Sequence, residues 1–492
     1  MLKFIDDFLN KITMYRLVLY YLCVLVVAAL VFGLFGLLPY SPVNLLFSLV
    51  VILAVGWVVN TLFAKMFDAA TSIESVYITA LILALIISPV APTNYAGIGF
   101  LVFASAWAMA SKYIFAVDKK HFFNPAAFGV ALASLTTIGA ATWWVGGNLP
   151  ILPFVFIGGV LVVRKNRRFD LVTAFSLVAL ATIVITANGG SNALSTITKT
   201  LLNTPFFFFA FVMLTEPVTL PPTRRLRIVY AAIVGLLFAP NIHIGAFYFS
   251  PELVLLAGNV FAYIVSPGGR YTMRLVEKHN PAVDIDEFVF MPDRPLSFRA
   301  GQYLEWTLPH PAVDTRGNRR YFTIASSPTE EHIRLGIKFY TPTSSFKITL
   351  GKLQINDTIS ATQLAGDFVL PRDKKKKLAL VAGGIGITPF RSMVQYLIDT
   401  KDTRDVVLLY ASRPDEVVYR DIFDHASRVI GMKTSYIPTL DGARIARDVP
   451  DYADRTFYIS GPSGMVDACK KTLRAMGVSR FNIRTDYFPG LA

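Results

Sequence analysis

The chain has 492 residues, of which 54% are hydrophobic and only 16% are charged. This composition excludes an ordinary soluble protein of that length. The net charge is +14, but many basic residues fall in short loops between apolar segments, which favours a membrane protein over a nucleic-acid-binding one. The two cysteines, Cys23 and Cys469, lie in different halves of the chain and cannot together hold an iron–sulfur cluster.

Ten apolar segments within residues 14–267 predict membrane helices, because a helix that crosses the hydrocarbon core needs about 20 apolar residues. Several segments are shorter than a full crossing and contain Pro or Gly. Their centres lie near residues 26, 54, 82, 103, 134, 157, 178, 208, 233 and 259. We therefore expect a polytopic α-helical membrane domain, followed by a soluble half.

The basic residues predict the orientation of these helices. If the N-terminus is inside and the chain crosses ten times, the outer loops carry only Lys199. The inner loops then carry Lys65, Lys112, Lys119, Lys120, Arg164, Lys165, Arg167, Arg168, Arg224, Arg225 and Arg227. Because Lys and Arg are enriched in cytoplasmic loops, we expect the N-terminus and the soluble half on the cytoplasmic side of the inner membrane.

Two proline-containing phrases each have a similar counterpart later among the helices. "SPVAPT" (88–93) ends the third predicted helix and "EPVTLPPT" (216–223) ends the eighth. "FNPAAFG" (123–129) opens the fifth and "FSPELVLLAG" (249–258) opens the tenth. Five helices followed by five, with matching phrases on opposite faces, predict an inverted repeat whose broken helices frame a central site. The alternative is chance recurrence of short proline phrases.

The membrane half resembles the membrane subunit family that includes RnfD and NqrB. The resemblance covers most of residues 40–267 and is carried, in order, by "SVYITALILALIISPVAPT", "HFFNPAAFGVAL", "FFFFAFVMLTEPVTLPPTRR" and "ELVLLAGNVFAYIVSP". It implies a flavin-bearing subunit that passes electrons across the bilayer. The family usually has Asp at the position of Glu216.

The resemblance also implies FMN bound covalently to a threonine outside the membrane, in the motif Asp-x-x-Ser/Thr-Gly/Ser-Ala-Thr. The nearest stretch is "TTIGAAT", which ends at Thr142. Thr136 stands at the Asp position and Gly139 at the Ser/Thr position. A small-residue packing stretch within a membrane helix is the stronger interpretation.

From about residue 272 the sequence changes to short strands and turns. "FVFMPDRPLSFRAGQYLEWTLP" (288–309) alternates apolar and polar residues, which predicts strands of an antiparallel β-barrel. "RRYFTIASSP" (319–328) follows. A fixed guanidinium can bind a pyrophosphate through paired donors; a nearby aromatic ring and hydroxyl can contact a flavin. Such alternation is also common in barrels without a ligand.

The last part of the chain alternates buried strands with helices. "KLALVAGGIGITPFRSM" (377–393) predicts a strand, a glycine loop and a helix, where the backbone can approach a diphosphate. A purely structural strand–helix junction is the alternative. "DVVLLYASRPDEVVYRDIF" (405–423) ends a strand where an adenosine ribose lies in a doubly wound sheet, and "RTFYISGPSGMVDACKKTL" (455–473) adds a third strand, turn and helix. We predict a doubly wound α/β domain.

Together these motifs resemble the ferredoxin–NADP reductase family over residues 272–492. The resemblance implies FAD on the barrel and NADH or NADPH on the α/β lobe, without deciding between the two nucleotides. It assigns flavin phosphate binding to Arg320, ring stacking to Phe322 and a bond near the reactive flavin nitrogen to Thr323. The full set of cofactor-binding residues is Arg320, Tyr321, Phe322, Thr323, Ser344, Ser345, Gly383, Gly384, Gly386, Thr388, Ser412, Arg413, Gly461, Pro462 and Phe488.

The chain departs from the reductase family at two positions. Phe322 replaces the usual tyrosine, so it retains the ring and loses the hydroxyl. Ser460 replaces a cysteine that often faces the nicotinamide. Ser460 and Thr323 are the predicted catalytic residues. Because hydride transfer belongs to the cofactors, we expect Ser460 to adjust the rate of the reaction without being essential.

We therefore predict an NAD(P)H-dependent flavin oxidoreductase with a transmembrane domain (1–268), an FAD-binding barrel (272–373) and an NAD(P)H-binding domain (374–492). Electrons would cross the bilayer to an extracytoplasmic flavoprotein or small molecule. Because the hydrocarbon core is about 30 Å thick, a second carrier is needed, for which a non-covalent flavin (FMN or riboflavin) is expected. Its candidate neighbours are Pro89, Asn124, Glu216 and Asn259.

Ordinary structural roles also fit these membrane residues. Asn124 and Asn259 suit helix capping or hydrogen bonding between helices. Glu216 suits an interfacial acid paired with Arg224 or Arg225.

Three other functions fit parts of the sequence. A haem-bearing reductase is disfavoured, because only His121 and His243 fall in the membrane half and two bis-histidine haems need four. An NAD(P)H:quinone reductase would place its quinone in the membrane domain. A transporter with a tethered reductase would also use inverted repeats. No metal site, haem or iron–sulfur cluster is predicted, and neither ion pumping nor oligomeric state follows from the residues.

Overall fold

The structure is a computed structural model that describes residues 2–10, 12–67, 73–117, 120–136, 139–187, 192–266, 269–311, 313–314 and 317–486. The chain divides into two compact units, Met1–Gly269 and Arg270–Ala492. The predicted change from membrane helices to a soluble half falls at this division.

The first unit is helical. Its helices are α1 (Leu2–Asn10), α2 (Met14–Leu34), α3 (Pro42–Met66), α4 (Ile73–Ile86), α5 (Tyr95–Ile114), α6 (Pro125–Leu135), α7 (Leu152–Asn166), α8 (Phe169–Thr186), α9 (Ala193–Asn203), α10 (Phe206–Phe208), α11 (Arg224–Leu237) and α12 (Pro251–Val265). A described helix covers each of the ten predicted centres. By length and composition, however, only α2, α3, α5 and α8 of the described helices suffice to cross a membrane.

A fifth candidate crossing is bent. Helix α9 and the segment Phe206–Met213, whose second half is a π-helix, pass the same test together but meet at 68°. Shorter apolar helices occur at Glu74–Ile86, α6 and α12. Length and composition of the described residues therefore support four crossings, or five with the bent pair, and do not confirm the ten predicted.

Helix starts and stops follow from the prolines. Pro125 and Pro251 each occupy the first turn of a helix, where the missing N–H costs nothing. Asn124 caps α6 by accepting a hydrogen bond from the N–H of Ala127 (3.0 Å). Pro217 opens a short 3₁₀ turn, Pro217–Thr219, after the π-helix ends. The broken helices were predicted, whereas the π-helical geometry was not.

A two-stranded hairpin occupies the same place in each half of the helical unit. Strands β1 (Ala116–Val117) and β2 (Lys120–His121) lie between α5 and α6. Strands β3 (His243–Ile244) and β4 (Phe247–Tyr248) lie between α11 and α12. Packing recurs as well, since α3 contacts α5 as α8 contacts α11, and α5 contacts α6 as α11 contacts α12.

The second unit begins with an antiparallel sheet. Its strands are β5 (Tyr271–Ala282), β6 (Ile285–Pro292), β7 (Tyr303–Thr307), β8 (Arg319–Thr323), β9 (Ile333–Lys338) and β10 (Thr358–Ala365), in the order β8-β7-β10-β5-β6-β9, with helix α13 (Ser345–Gly351) between β9 and β10. A core that includes Phe288, Phe290, Trp306 and Phe346 fills one face. The antiparallel prediction is confirmed. Closure into a barrel is not established, because strand pairing among the described residues leaves β8 and β9 at the edges.

A parallel sheet completes the unit. Its strands are β11 (Leu378–Gly383), β12 (Val406–Ala411), β13 (Lys433–Ile437), β14 (Thr456–Ser460) and β15 (Ile483–Asp486), in the order β13-β12-β11-β14-β15. Its helices are α14 (Thr388–Asp399), α15 (Arg420–Val429), α16 (Gly442–Asp448) and α17 (Ser463–Ala475). Alternate residues of β11 enter two separate cores, so both faces are covered as in a doubly wound sheet. Strand order reverses between β11 and β14.

Candidate active site

The predicted flavin-binding residues of β8 lie on two different faces of the strand. Phe322 is opposite Leu304 and Arg320 is opposite Trp306, and both partners are fully buried in the core of the antiparallel sheet. The side chains of Arg320 and Phe322 accordingly turn to Phe346 of α13. The guanidinium carbon lies 5.2 Å from that ring centroid and the Phe322 ring lies 5.9 Å away. Both predicted residues thus lie on the core face.

Thr323 lies on the other face of β8, because successive side chains of a strand point to opposite sides. It is opposite Tyr303, whose ring meets that of Tyr321 edge-on at 5.6 Å. The Tyr321 hydroxyl donates to Gln363 Oε1 (3.3 Å). The aromatic residue that shares a face with Thr323 is therefore Tyr321 and not Phe322. This division was invisible in the sequence because it depends on the register of β8 with β7.

The Thr323 hydroxyl is a test of whether a flavin fits here. Thr323 is 4% exposed, and its Oγ1 has no hydrogen-bond partner among the described residues. A buried hydroxyl left without a partner costs about 1–3 kcal/mol. An acceptor or donor on a bound ring would remove that cost, so the open face of β8 fits a polar aromatic ligand such as the flavin of FAD.

Ser344 and Ser345 are engaged within the protein. Ser344 is fully buried and caps α13 by accepting from the N–H of Lys347 (3.3 Å). Ser345 Oγ accepts from the N–H of Asp314 (3.0 Å) and lies 3.0 Å from His310 Nε2. Their hydroxyls hold the loop beside α13, and a cofactor-binding role for them stays a prediction.

Four glycines bring two loops together where the strand order reverses. A Cβ on Gly386 would lie 2.5 Å from the Cα of Gly461, and a Cβ on Gly461 would lie 3.1 Å from the Cα of Gly383. Gly384 has a φ of +50° and open space where its Cβ would be. Doubly wound sheets bind nucleotides at this crevice beyond the carboxyl ends of the strands.

Three further predicted residues surround these loops. Thr388 opens α14 and its hydroxyl donates to the carbonyl of Ile385 (3.2 Å). Ser460 is buried at the end of β14, in register with Ala382 of β11. The Pro462 ring lies 3.2 Å from the position of a Cβ on Gly383. The structure thus brings together all the predicted nicotinamide-side residues within its described part. Phe488 lies outside the described residues.

Ser412 and Arg413 follow the carboxyl end of β12. The N–H of Ser412 donates to the carbonyl of Ile437 (3.1 Å). Arg413 is exposed, and its side chain lies 3.6 Å from Glu416, which itself pairs with Lys338 of the antiparallel sheet (2.6 Å). Burial raises the pKa of nearby Tyr410 to about 12, so its hydroxyl stays protonated at neutral pH.

Arg391 and Ser392 join the two sheets of this unit, and sequence reasoning missed both. They lie in the first turns of α14 and are almost fully buried. Arg391 donates to the carbonyl of Ala325 (3.2 Å), and Ser392 donates to the carbonyl of Ser326 (2.6 Å). The signal available in the sequence was an arginine just after a glycine loop, but the sequence did not show which residues this arginine contacts.

In the helical unit, three predicted residues form one polar cluster. The Asn124 side-chain amide donates to Glu216 (2.8 Å), and the Asn124 N–H donates to Asn259 Oδ1 (2.8 Å). Thr219 also donates to Glu216 (3.2 Å), and His121 Nε2 lies 4.0 Å from that carboxylate. The alternative interpretation, in which Glu216 pairs with Arg224 or Arg225, finds no support among the described contacts of Glu216.

Arg224 and Arg227 instead lie 3.5 Å from Asp170, between the starts of α8 and α11. Arg227 also donates to the carbonyl of Pro222 (3.1 Å), so it ties the start of α11 to the end of the proline phrase. Helix capping by Asn124 is confirmed, and it coexists with the bond to Glu216.

A pocket adjoins the polar cluster. It is lined by Val117, Phe122, Val218, Thr219, Leu220, Asn259, Ala262, Tyr263 and Ser266. Asn259 is fully buried, and its side chain lies beside the equally buried Tyr230 hydroxyl. The Phe122 and Tyr263 rings lie 4.8 Å apart. The pocket is small, with a volume of about 20 Å³, and its wall combines two aromatic rings with the Asn259 side chain.

Ser88 and Thr142 form a second group of contacts. The Thr142 hydroxyl is 2.9 Å from that of Ser88, and the Thr142 N–H donates to the carbonyl of Ile86 (3.1 Å). The following Trp143 donates from its indole nitrogen to buried Glu252 (2.9 Å). The loop therefore caps the broken end of α4. Pro89, predicted beside the membrane flavin, directly follows Ser88 at this end of α4.

Comparison with known proteins identifies the nucleotide lobe. Residues 380–471 match the family model described as the oxidoreductase NAD-binding domain. The glycine betaine monooxygenase reductase subunit of Chromohalobacter salexigens is 24% identical over 252 residues, which are 45% of this chain and 64% of that protein. The match is confined to less than half of this chain.

Two other relatives give the same result. The flavohemoprotein of Bacillus subtilis is 24% identical and covers 44% of this chain and 58% of its own length. NADH oxidoreductase HCR of Escherichia coli is 26% identical and covers 37% of this chain and 58% of its own. The chain thus spans less than two thirds of the length of each relative.

The C-terminal unit therefore contains a NAD-binding domain like that of ferredoxin–NADP reductases. The prediction of an NAD(P)H-dependent flavin oxidoreductase is confirmed at the level of this domain.

Proposed function

We propose that this protein is a membrane oxidoreductase that takes a hydride from NAD(P)H in the cytoplasm and delivers single electrons across the bilayer to an extracytoplasmic flavoprotein or small molecule. The observation that carries the proposal is the polar cluster of Asn124, Glu216 and Asn259 beside a small pocket with aromatic walls. A polar site of this kind is costly in an apolar helical unit. Its presence in one chain with a NAD-binding reductase domain indicates a place for a second carrier.

The flavin site of the proposal is the open face of β8. FAD bound there would accept the two electrons of one hydride, pass them on one at a time and release the proton. Thr323 offers the unused hydroxyl, and Tyr321 with Tyr303 offers the aromatic wall on the same face. Arg320 lies on the core face and is assigned to the phosphate end beside α13.

The nucleotide site of the proposal is the crevice between the loops after β11 and β14. Gly384 leaves open space at its surface, and Gly386 and Gly461 hold the two loops in contact. Ser460 and Thr388 form the walls, while Ser412 and Arg413 lie on the adenosine side. We retain the division into an FAD-binding domain (272–373) and an NAD(P)H-binding domain (374–492).

The helical unit would be an inverted 5+5 repeat with ten passages of the chain. Matching hairpins before α6 and α12 and matching packing pairs in the two halves support it. The contacts also cross between halves, because Asn124 of the first meets Glu216 of the second and Trp143 of the first meets Glu252 of the second. We assign the reductase and the N-terminus to the cytoplasmic side of the inner membrane from the basic loops.

A flavin count tests the second carrier. The purified protein in detergent should release two flavins per chain, of which the reductase unit holds one. One flavin per chain and no other chromophore would contradict the proposal. A flavin that stays attached after acid precipitation would instead assign Thr142 as a covalent site.

A quinone reductase is the second candidate, and the aromatic pocket beside Asn259 favours it. In that case NAD(P)H would reduce a quinone dissolved in the bilayer, and no acceptor on the far side would be reduced. Quinone-dependent oxidation of NAD(P)H by a protein with only one flavin would select this candidate.

A further inference from the structure

Arg391 connects the strand of the flavin site to the helix of the nucleotide site. It donates to the carbonyl of Ala325, two residues after Thr323 (3.2 Å). It also makes two bonds to Glu330, one of them 2.9 Å from Nη2 to Oε1 and the other from Nη1 to Oε2. A guanidinium that grips a carboxylate through two parallel bonds fixes geometry as well as charge.

The connection is short at both ends. Ala325 is two residues beyond Thr323, which is about 7 Å of extended chain. Arg391 is three residues beyond Thr388, which is about 4.5 Å along a helix. A displacement at Arg391 therefore reaches both proposed cofactor sites with little chain to absorb it.

The anchor on the antiparallel sheet is itself fixed. Glu330 Oε2 accepts from the N–H of Ser327 (2.5 Å). Arg334 of β9 lies 3.5 Å from Glu330 and donates to Glu287 of β6 (2.9 Å). The loop that receives Arg391 is thus tied to two strands of the sheet.

Other contacts at this boundary leave little space. Ser392 donates to the carbonyl of Ser326 (2.6 Å). Gly336 of β9 faces α14 so closely that a Cβ there would lie 2.9 Å from Thr388 Cγ2. The two sheets are therefore held in contact by polar bonds across a boundary that admits no extra side chain.

We propose that Arg391 is a positioning residue, which, together with Ser392, sets the separation between the flavin face of β8 and the nicotinamide crevice of α14. The inference rests on the proposed function, because it concerns the hydride step between those two sites. Hydride transfer needs reacting atoms held in near-contact, and a misplacement of about 1 Å can cost about a hundredfold in rate. No ligand contact by Arg391 is required.

The chain offers a matched control in Arg455. Its side chain is 5% exposed and that of Arg391 is 7% exposed. Arg455 also donates to one backbone carbonyl, that of Leu378 (3.0 Å), and to carboxylates, those of Asp405 and Asp451. These partners all belong to the nucleotide lobe. Loss of Arg455 therefore removes a comparable buried network without touching the boundary between the sheets.

The test compares Arg391→Met, Arg391→Lys, Ser392→Ala and Arg455→Met in the full-length detergent-solubilised protein. The limiting rate of flavin reduction at saturating NADH or NADPH is measured by stopped flow. We expect Arg391→Met to lower it by about 10- to 100-fold, with a partial recovery in Arg391→Lys and a smaller loss in Ser392→Ala. Arg455→Met should lower the melting temperature and leave the limiting rate near that of the wild type.

A second readout does not depend on turnover. Hydrogen exchange of the flavin-free protein should rise in residues 324–330 for Arg391→Met and stay unchanged there for Arg455→Met. Equal limiting rates for the two methionine variants, or unchanged exchange in 324–330, would overturn the inference. A wild-type protein whose flavin is not reduced by either nucleotide would overturn the proposed function, while the exchange result would still decide the role of Arg391.

Discussion

The side-chain amide nitrogen of Asn124 donates to the carboxylate of Glu216 over 2.8 Å, while its side-chain oxygen Oδ1 caps helix α6. One residue thus joins the first half of the helical unit to the proline turn of the second. The backbone N–H of Asn124 extends the link to Asn259. Because these groups lie in an apolar unit, their polar bonds mark the site we assign to the membrane carrier.

Replacement of Asn124 by Ala should remove the membrane carrier. The change deletes the bond to Glu216 and also a helix cap worth about 0.5–2 kcal/mol. Asn94→Ala is the matched control, because Asn94 caps α5 by accepting from Gly97 (2.9 Å) in an exposed position. We expect the flavin count to fall towards one per chain in Asn124→Ala and to stay unchanged in Asn94→Ala. Equal flavin counts in the two variants would show that the polar cluster does not bind the membrane carrier.

Tyr321→Leu and Phe322→Leu should differ in kind. Tyr321 lies on the face of Thr323, so its loss should weaken FAD retention during gel filtration. Phe322 packs on Phe346 in the core. Its replacement should therefore chiefly lower the free energy of unfolding, by about 1 kcal/mol or less, which is measured as a lower melting temperature. Stronger FAD loss in Phe322→Leu than in Tyr321→Leu would show that the flavin contacts the other face.

Thr323→Val should have opposite effects on stability and on the hydride step. In the flavin-free protein it removes a buried hydroxyl without a partner, so thermal stability should be unchanged or rise by about 1 kcal/mol. With FAD bound, the limiting rate of reduction by NAD(P)H should fall. A stability loss in the flavin-free protein would mean that the hydroxyl already has a partner within the protein.

Gly386→Ala should separate nucleotide binding from flavin binding. The new Cβ would lie 2.5 Å from the Cα of Gly461 and would push the two loops apart. We expect reduction by NAD(P)H to be lost while FAD content is retained. Gly351→Ala is the control, since its Cβ would make only an ordinary contact of 3.5 Å with Phe339. Normal reduction in Gly386→Ala would exclude the crevice as the nucleotide site.

Asp451 predicts a pH dependence of stability in the nucleotide lobe. Hydrogen bonding to Arg455 holds the pKa of Asp451 well below its usual range. A lowered pKa in the folded state means that the ionised group stabilises the fold above the unfolded pKa of about 3.9 and loses that effect as pH falls further. Asp451→Asn should therefore lower the melting temperature at pH 7, and the difference from wild type should shrink below about pH 4. A constant difference from pH 7 to pH 3 would contradict this assignment.

The sequence predicted the order of elements better than their contacts. Glycine turns after apolar strands were enough to predict the doubly wound sheet, because strand, loop and helix signals are local. The division of Arg320 and Phe322 from Thr323 depends on which residues of β7 lie opposite, and Leu304 and Trp306 settle it by entering the core. A motif written along one strand carries no record of that register.

The membrane cluster shows the same limit. Two of the four proline phrases meet through Asn124 and Glu216, where polar groups in an apolar unit need partners. The phrases did not reveal that Glu216 accepts a hydrogen bond from Asn124, or that the hydroxyls of Thr142 and Ser88 lie within hydrogen-bond distance. Those choices depend on distances between segments far apart in sequence.

Electron transfer across a sealed membrane tests the central claim most directly. The protein is reconstituted in liposomes with the reductase unit outside and a membrane-impermeant acceptor trapped inside, and NAD(P)H is added outside. We predict oxidation of NAD(P)H with matching reduction of the trapped acceptor, and loss of both in Gly386→Ala. NAD(P)H oxidation by an added quinone or external acceptor, while the trapped acceptor stays oxidised, would contradict transfer across the bilayer.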